Sequence, residues 1–328
     1  MFSQGILKSL CSFLLYHPHK VDWSGFKNIT FFSAMVWRKN EVLLEIMQKW
    51  IMLELSQAGK ITKNHREISI ATWVCYLPYV MLSQGKQILI PLEEKNWDLV
   101  AYTVSHIDIM PKWFPLSHQY RVYALSARGH PSWLVFMGTT YPTCIGFWSA
   151  LLADFCPLDI GGFIACWNKR KIQNWLDSHP DVKVVGMSLG AQVAKQMTVH
   201  KNVHKRILIK PALAYKSITR DEADWMIIYE KDPVSRIGYI HPKMPISFVR
   251  PVSPCYCLVC RMLVHTQLKL EKQDYTVSSI SGDMFNQTWP FHHQFLWYCV
   301  ARTIVFIFIL PLYLISLILN KLWSYFLW

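Results

Sequence analysis

The chain has 328 residues, 52% of them hydrophobic, 14% aromatic and only 17% charged, with 34 Lys and Arg against 21 Asp and Glu, a formal net charge of +13. That length bounds one large domain with extensions or two small domains. So apolar a chain has either an unusually large core or a membrane contact. A basic, aromatic-rich chain could meet nucleic acid or an anionic bilayer, but it has no compact Lys/Arg block and no RNA-reading signature, so the expected partner is a lipid bilayer and not nucleic acid.

The N-terminal run MFSQGILKSLCSFLLYHPHK is broken by Lys8 and lacks a small-residue cleavage site, so no secretory signal is read there. Residues 40–57 carry apolar side chains at helical spacing behind Asn40, a good N-cap, and predict an amphipathic helix. Ile68–Leu82, ISIATWVCYLPYVML, is apolar but short, and reads equally as a core helix, an in-plane membrane segment or a span. Residues 1–95 are therefore expected to be a mostly helical region that could touch the membrane.

From about residue 97 the pattern changes to short β-rich runs alternating with helical ones. Strands are predicted at 99–104, 120–125, 133–136, 182–185, 206–209, 225–229 and 246–250. Helices are predicted to end at Ser178 and to cover 191–199. Such alternation predicts an α/β fold, a mainly parallel sheet with helices on both faces, over 96–301. Thr303–Leu319, TIVFIFILPLYLISLIL, is free of charge, and Arg302, Lys321, Trp323, Tyr325 and Trp328 flank it. Residues 302–328 are expected to form a C-terminal transmembrane anchor, its orientation left open by positive charge on both sides.

Nine cysteines, an odd number in apolar surroundings, argue against a disulfide framework and for a reducing compartment. Cys255, Cys257 and Cys260 with His265 do not have the spacing of a usual zinc site; no metal or other cofactor is expected.

The chemistry-bearing motif is VVGMSLGAQVAKQM, residues 184–197. A serine between two glycines, after an apolar strand and before an amphipathic helix, fits a sharp strand-to-helix turn. The turn exposes Ser188 and leaves no room for side chains at Gly186 and Gly190. The helix N-terminus and the Leu189 N–H could then stabilise an oxyanion.

Residues 133–199 resemble the class 3 (fungal-type) lipase family of α/β-hydrolases. WLVFMGTTYP supplies the Gly138-Thr139 pair. DIGGFIACWNKRKIQNWLDSHPDVKVVGMSLGAQVA supplies Gly162-Phe163 at the start of a long helix, and then the elbow. The chain has Met187 where the family usually has His, Ala191 where it has another small residue, and Met137 where it has Arg. The resemblance implies Ser188 as nucleophile with the Thr139 and Leu189 N–H groups as oxyanion hole. It also implies Asp232, in the run DWMIIYEKDPVSR, as the acid. The implied base is His292, in WPFHHQFLWYCVAR, with His293 and His265 as alternatives; His241 lies too near Asp232 in sequence. The large apolar residues between Thr140 and Ile172 match the family's lid over an acyl pocket. The expected function is a membrane-anchored serine hydrolase of lipid esters. The departures at Met187 and Met137 support a second expectation, a hydrolase-fold interaction protein without turnover; an acyltransferase using Ser188 is a third.

Overall fold

The computed structural model describes residues 63–92, 98–139, 145–156, 160–212, 222–230, 232, 234–236, 240–251, 275–287 and 291–326. The helix expected at 40–57, the Cys255–Cys260 cluster and His265 lie outside the described residues.

A nine-stranded mixed sheet organises the chain, its strands adjacent in sequence order. They are β1 Gln87–Leu92, β2 Asp98–Asp108, β3 Arg121–Ser126, β4 Ser132–Phe136, β5 Val182–Met187, β6 Val203–Ile209, β7 Asp224–Tyr229, β8 Pro245–Pro251 and β9 Tyr275–Ser281. The pairings from β4 to β8 are parallel; those from β1 to β4, and β8 with β9, are antiparallel. The expectation of a mainly parallel sheet therefore holds only for its centre. Of the antiparallel flanks, the predicted runs 99–104 and 120–125 fall in β2 and β3; β1 and β9 lie outside the predicted strands, because QILIPL contains a proline and YTVSSIS is largely polar.

Every residue of β5 is buried, as a strand covered on both faces requires. Its run VKVVGM has one charge, Lys183, whose ammonium sits 5.6 Å from the Trp133 ring centre.

The helices are α1 Lys63–Tyr76, α2 Phe147–Asp154, α3 Gly162–Ala165, α4 Lys169–Asp177, α5 Leu189–Met197, α6 Gly282–Gln287 and α7 Phe291–Phe326. The segment Ile68–Leu82 resolves as core: α1, then a 3₁₀ turn over Leu77–Val80, with nearly every side chain buried. It packs against β4 and β5, so a membrane role for that run is not what its apolarity served. The long helix expected from Gly162 is two: α3 stops at Ala165 and α4 restarts at Lys169 behind Asn168.

A buried ionic group ties α5 to the sheet. Arg206 on β6 is fully buried; it donates to Asp224 on β7 and, at 2.9 Å each, to the Thr198 hydroxyl and carbonyl. Lys195 on α5 donates to the second Asp224 oxygen at 2.6 Å. Two cations and four acceptor oxygens satisfy one another, which is what makes charges tolerable there.

The helix α7 is one of 36 residues and contains Cys299–Leu322, long and apolar enough to cross a membrane. It packs against α2.

Candidate active site

The carboxyl ends of β5, β6 and β7 bring three polar side chains to one edge of the sheet: Ser188, Lys210 and Asp232. Carboxyl ends of parallel strands are where α/β sheets place their chemistry.

Ser188 has φ 55° and ψ −125°, the left-handed half of backbone space that a residue with a Cβ avoids. Its surroundings hold it there. The Ser188 N–H donates to the Ile209 carbonyl at 3.0 Å, and its carbonyl accepts from Ala191 at 3.1 Å and Ala212 at 3.2 Å. The two glycines do what the motif predicts. A Cβ on Gly186 would lie 2.5 Å from the Gly190 carbonyl oxygen. One on Gly190 would lie 2.3 Å from the Phe136 oxygen and 2.7 Å from that of Met137. Backbone cannot move aside as a side chain can, so Gly190→Ala is expected to cost at least about 2 kcal/mol and to displace Ser188. A lowered denaturation midpoint together with lost reactivity of Ser188 would show it; an unchanged midpoint would mean that the turn has slack.

Gly138 closes the site from β4. A Cβ there would meet the Tyr79 hydroxyl at 2.7 Å, the Met187 carbonyl at 2.9 Å and the Ser188 Cβ at 3.5 Å. The Gly138-Thr139 turn thus lies directly beside Ser188. Thr139 is fixed from two sides: its hydroxyl donates to Asp154 at 2.6 Å, and its carbonyl accepts from Tyr79 at 3.2 Å. Leu189 is the first residue of α5, so its N–H belongs to the positive end of that helix.

Asp232 is fully buried. One carboxylate oxygen accepts the Val234 N–H at 2.9 Å and the other accepts the Ser235 hydroxyl at 3.1 Å. These contacts build a fixed acid just beyond β7.

Two residues of this edge escaped the sequence reading. Tyr79 follows α1, within the apolar run ISIATWVCYLPYVML. Lys210 directly follows β6 at φ 44°, is fully buried, and has its ammonium 4.2 Å from the Tyr229 ring centre. Burial lowers its pKa to about 7, against the opposing attraction of Asp232. Cys75 of α1 lies within the field of Lys210, and burial raises the pKa of its thiol. The legible signal was one lysine closing the apolar run ILIKP.

Of the histidines, His292 and His293 lie in the first turn of α7, their side chains outside the described residues. His241 is half-buried just before β8, at the amino ends of the parallel strands and thus the opposite edge from Ser188. Topology, more than nearness to Asp232, removes it. Among the described residues no His, Cys, Asp and Glu group could hold a metal ion.

No family model matches the chain, and no curated protein matches it.

Proposed function

We propose that this chain is a membrane-bound serine hydrolase that cleaves carboxylic esters of lipids, similar to class 3 lipases. The observation that carries the reading is Ser188, held at φ 55° on the turn from β5 into α5 and at the same sheet edge as the buried Asp232. Strain of about 1–3 kcal/mol at one non-glycine residue persists where the fold over-determines it, and such sites cluster at functional centres.

In this reading the Ser188 Oγ attacks the ester carbonyl while His292 takes its proton. The carbonyl oxygen becomes an oxyanion facing the Thr139 and Leu189 N–H groups. Collapse expels the alcohol, protonated by His292, and water attacks the acyl-serine by the same route in reverse. Asp232 fixes the imidazole tautomer and stabilises the imidazolium. The apolar helix α7 keeps the domain at the bilayer that supplies the substrate.

The base assignment has its own test. Replacing His292, His293 and His265 by alanine one at a time, in full-length protein in detergent, is expected to reduce ester turnover by orders of magnitude only for His292. A loss confined to His293→Ala or His265→Ala moves the base; equal turnover in all three removes these three histidines from the reaction.

One observation favours a second reading, a hydrolase-fold membrane protein that binds partners without turnover. Lys210 is a buried lysine within the field of Asp232. A permanent ammonium there would hold the carboxylate that the imidazole needs.

A further inference from the structure

Burial along α7 follows a helical stripe. Arg302 and Tyr313 are buried, and Phe306, Ile309, Leu310 and Leu317 pack against the core of the sheet domain. The opposite side shows Ile304, Ile307, Phe308, Leu312, Ile315 and Leu319, each about half exposed or more. The contacts are specific as well as apolar. The Tyr313 ring meets His118 edge-on at 4.9 Å and Phe163 at 5.7 Å. Ser316 is hydrogen-bonded to the His118 Nε2 at 3.3 Å, and Arg302 donates to the Asp154 carbonyl.

From Arg302 to Leu317 the helix rises roughly 22 Å along the domain. The hydrocarbon of a bilayer is about 30 Å thick. A helix crossing it upright would carry the adjoining domain surface, with its loops and charges, most of the way through hydrocarbon, where unpaired backbone groups are not tolerated. A helix lying flat avoids this: the domain stays in water and the exposed stripe enters the lipid.

The neighbouring surface fits that orientation. Trp113 and Leu116 are 68% and 61% exposed, in the connection that carries His118. Trp113 rests on Phe114, and Phe114 on Trp167. Two residues beyond Trp167, α4 begins with Lys169 and Arg170, both exposed; Lys112 beside Trp113 is exposed too. Tryptophan and cations bordering an apolar face are the features of an interfacial surface that meets anionic headgroups.

We propose that α7 lies in the plane of one leaflet instead of crossing the bilayer. Its outward face, Trp113 and Leu116 enter the lipid, and Lys112, Lys169 and Arg170 engage anionic headgroups. This deepens the membrane attachment of the proposed function and is independent of its chemistry, so a Ser188→Ala chain serves for every measurement. The arrangement also places the oxyanion loop near the leaflet. Arg302 of α7 holds the Asp154 carbonyl, and the Asp154 carboxylate holds the Thr139 hydroxyl.

The test uses full-length Ser188→Ala protein with a C-terminal peptide tag, bound to sealed phosphatidylcholine vesicles with and without phosphatidylserine. External trypsin is expected to remove the tag and cut the domain together, with no detergent added. A tag protected while the domain is cut would establish a crossing and overturn the proposal. Phe308→Asp with Ile315→Asp should abolish flotation with vesicles while far-ultraviolet circular dichroism stays unchanged. Lys169→Glu with Arg170→Glu should reduce flotation several-fold on phosphatidylserine vesicles only. Equal flotation of that variant, or a failure of the unaltered full-length Ser188→Ala protein to float with vesicles, would refute the surface as drawn.

Discussion

Replacing Ser188 by alanine is expected to abolish covalent labelling of the detergent-solubilised protein by a fluorophosphonate probe and to lower ester turnover by about 10⁴-fold or more. The residue supplies the attacking oxygen. The fold should survive, because what fixes the turn is backbone: the Ser188 N–H on Ile209 and its carbonyl under Ala191 and Ala212. Alanine keeps the Cβ and hence the left-handed strain, so the denaturation midpoint should hardly move. Ser188→Gly separates the two roles. Glycine occupies φ 55° without strain, and this variant should be more stable than Ser188→Ala by about 1 kcal/mol while equally inert. Undiminished labelling in Ser188→Ala would place the reactive group elsewhere and end the hydrolase reading. Wild-type protein that is folded yet never labelled would favour the interaction protein.

The centre of this fold could be read from the sequence because its signals are local. Parallel strands buried on both faces are nearly unbroken apolar runs, and 133–136, 182–185 and 225–229 each fall within one residue or two of β4, β5 and β7. The elbow could be read because Gly186, Ser188 and Gly190 stand within five residues, although the demand on Gly190 comes from the distant Phe136 and Met137 carbonyls. What failed to show depends on neighbours distant in the chain. β1 and β9 are strands because β2 and β8 offer them ladders, not because QILIPL or YTVSSIS insists on extension. Tyr79 joins the site because α1 packs on β4 and β5, a contact that no spacing within ISIATWVCYLPYVML encodes. The apolar run of α7 told its length and hydropathy, but not that one of its faces would be occupied by the domain. Hydropathy averages around a helix and discards direction. The direction is what changes an expected crossing into a proposed in-plane contact.

Lys210 should make the stability of this protein depend on pH between about 7 and 10.5. In the unfolded chain the lysine keeps its ordinary pKa of 10.5, while burial lowers it to about 7 in the fold. Across that window the unfolded state holds a proton that the folded state lacks. Stability therefore rises with pH, by about 1.4 kcal/mol per unit for one proton. Below about pH 7 the cost is complete, on the order of 5 kcal/mol, with the attraction of Asp232 already included in the pKa of about 7. Lys210→Met removes the titrating group and leaves the rest of the chain to titrate as before. Chemical denaturation of both proteins in detergent at pH 7 and pH 9 should show the wild type gaining about 2–3 kcal/mol relative to the variant. The outcome bears on function, because Lys210 and an imidazole would compete for the same carboxylate. A lysine that loses its proton near neutrality leaves Asp232 to orient a histidine, and the edge of the sheet can work as a hydrolase above that pH. Parallel pH profiles would mean that Lys210 stays an ammonium throughout. Asp232 would then be held by a permanent internal cation, and the fold would keep the shape of an active site without the charge arrangement that its reaction requires.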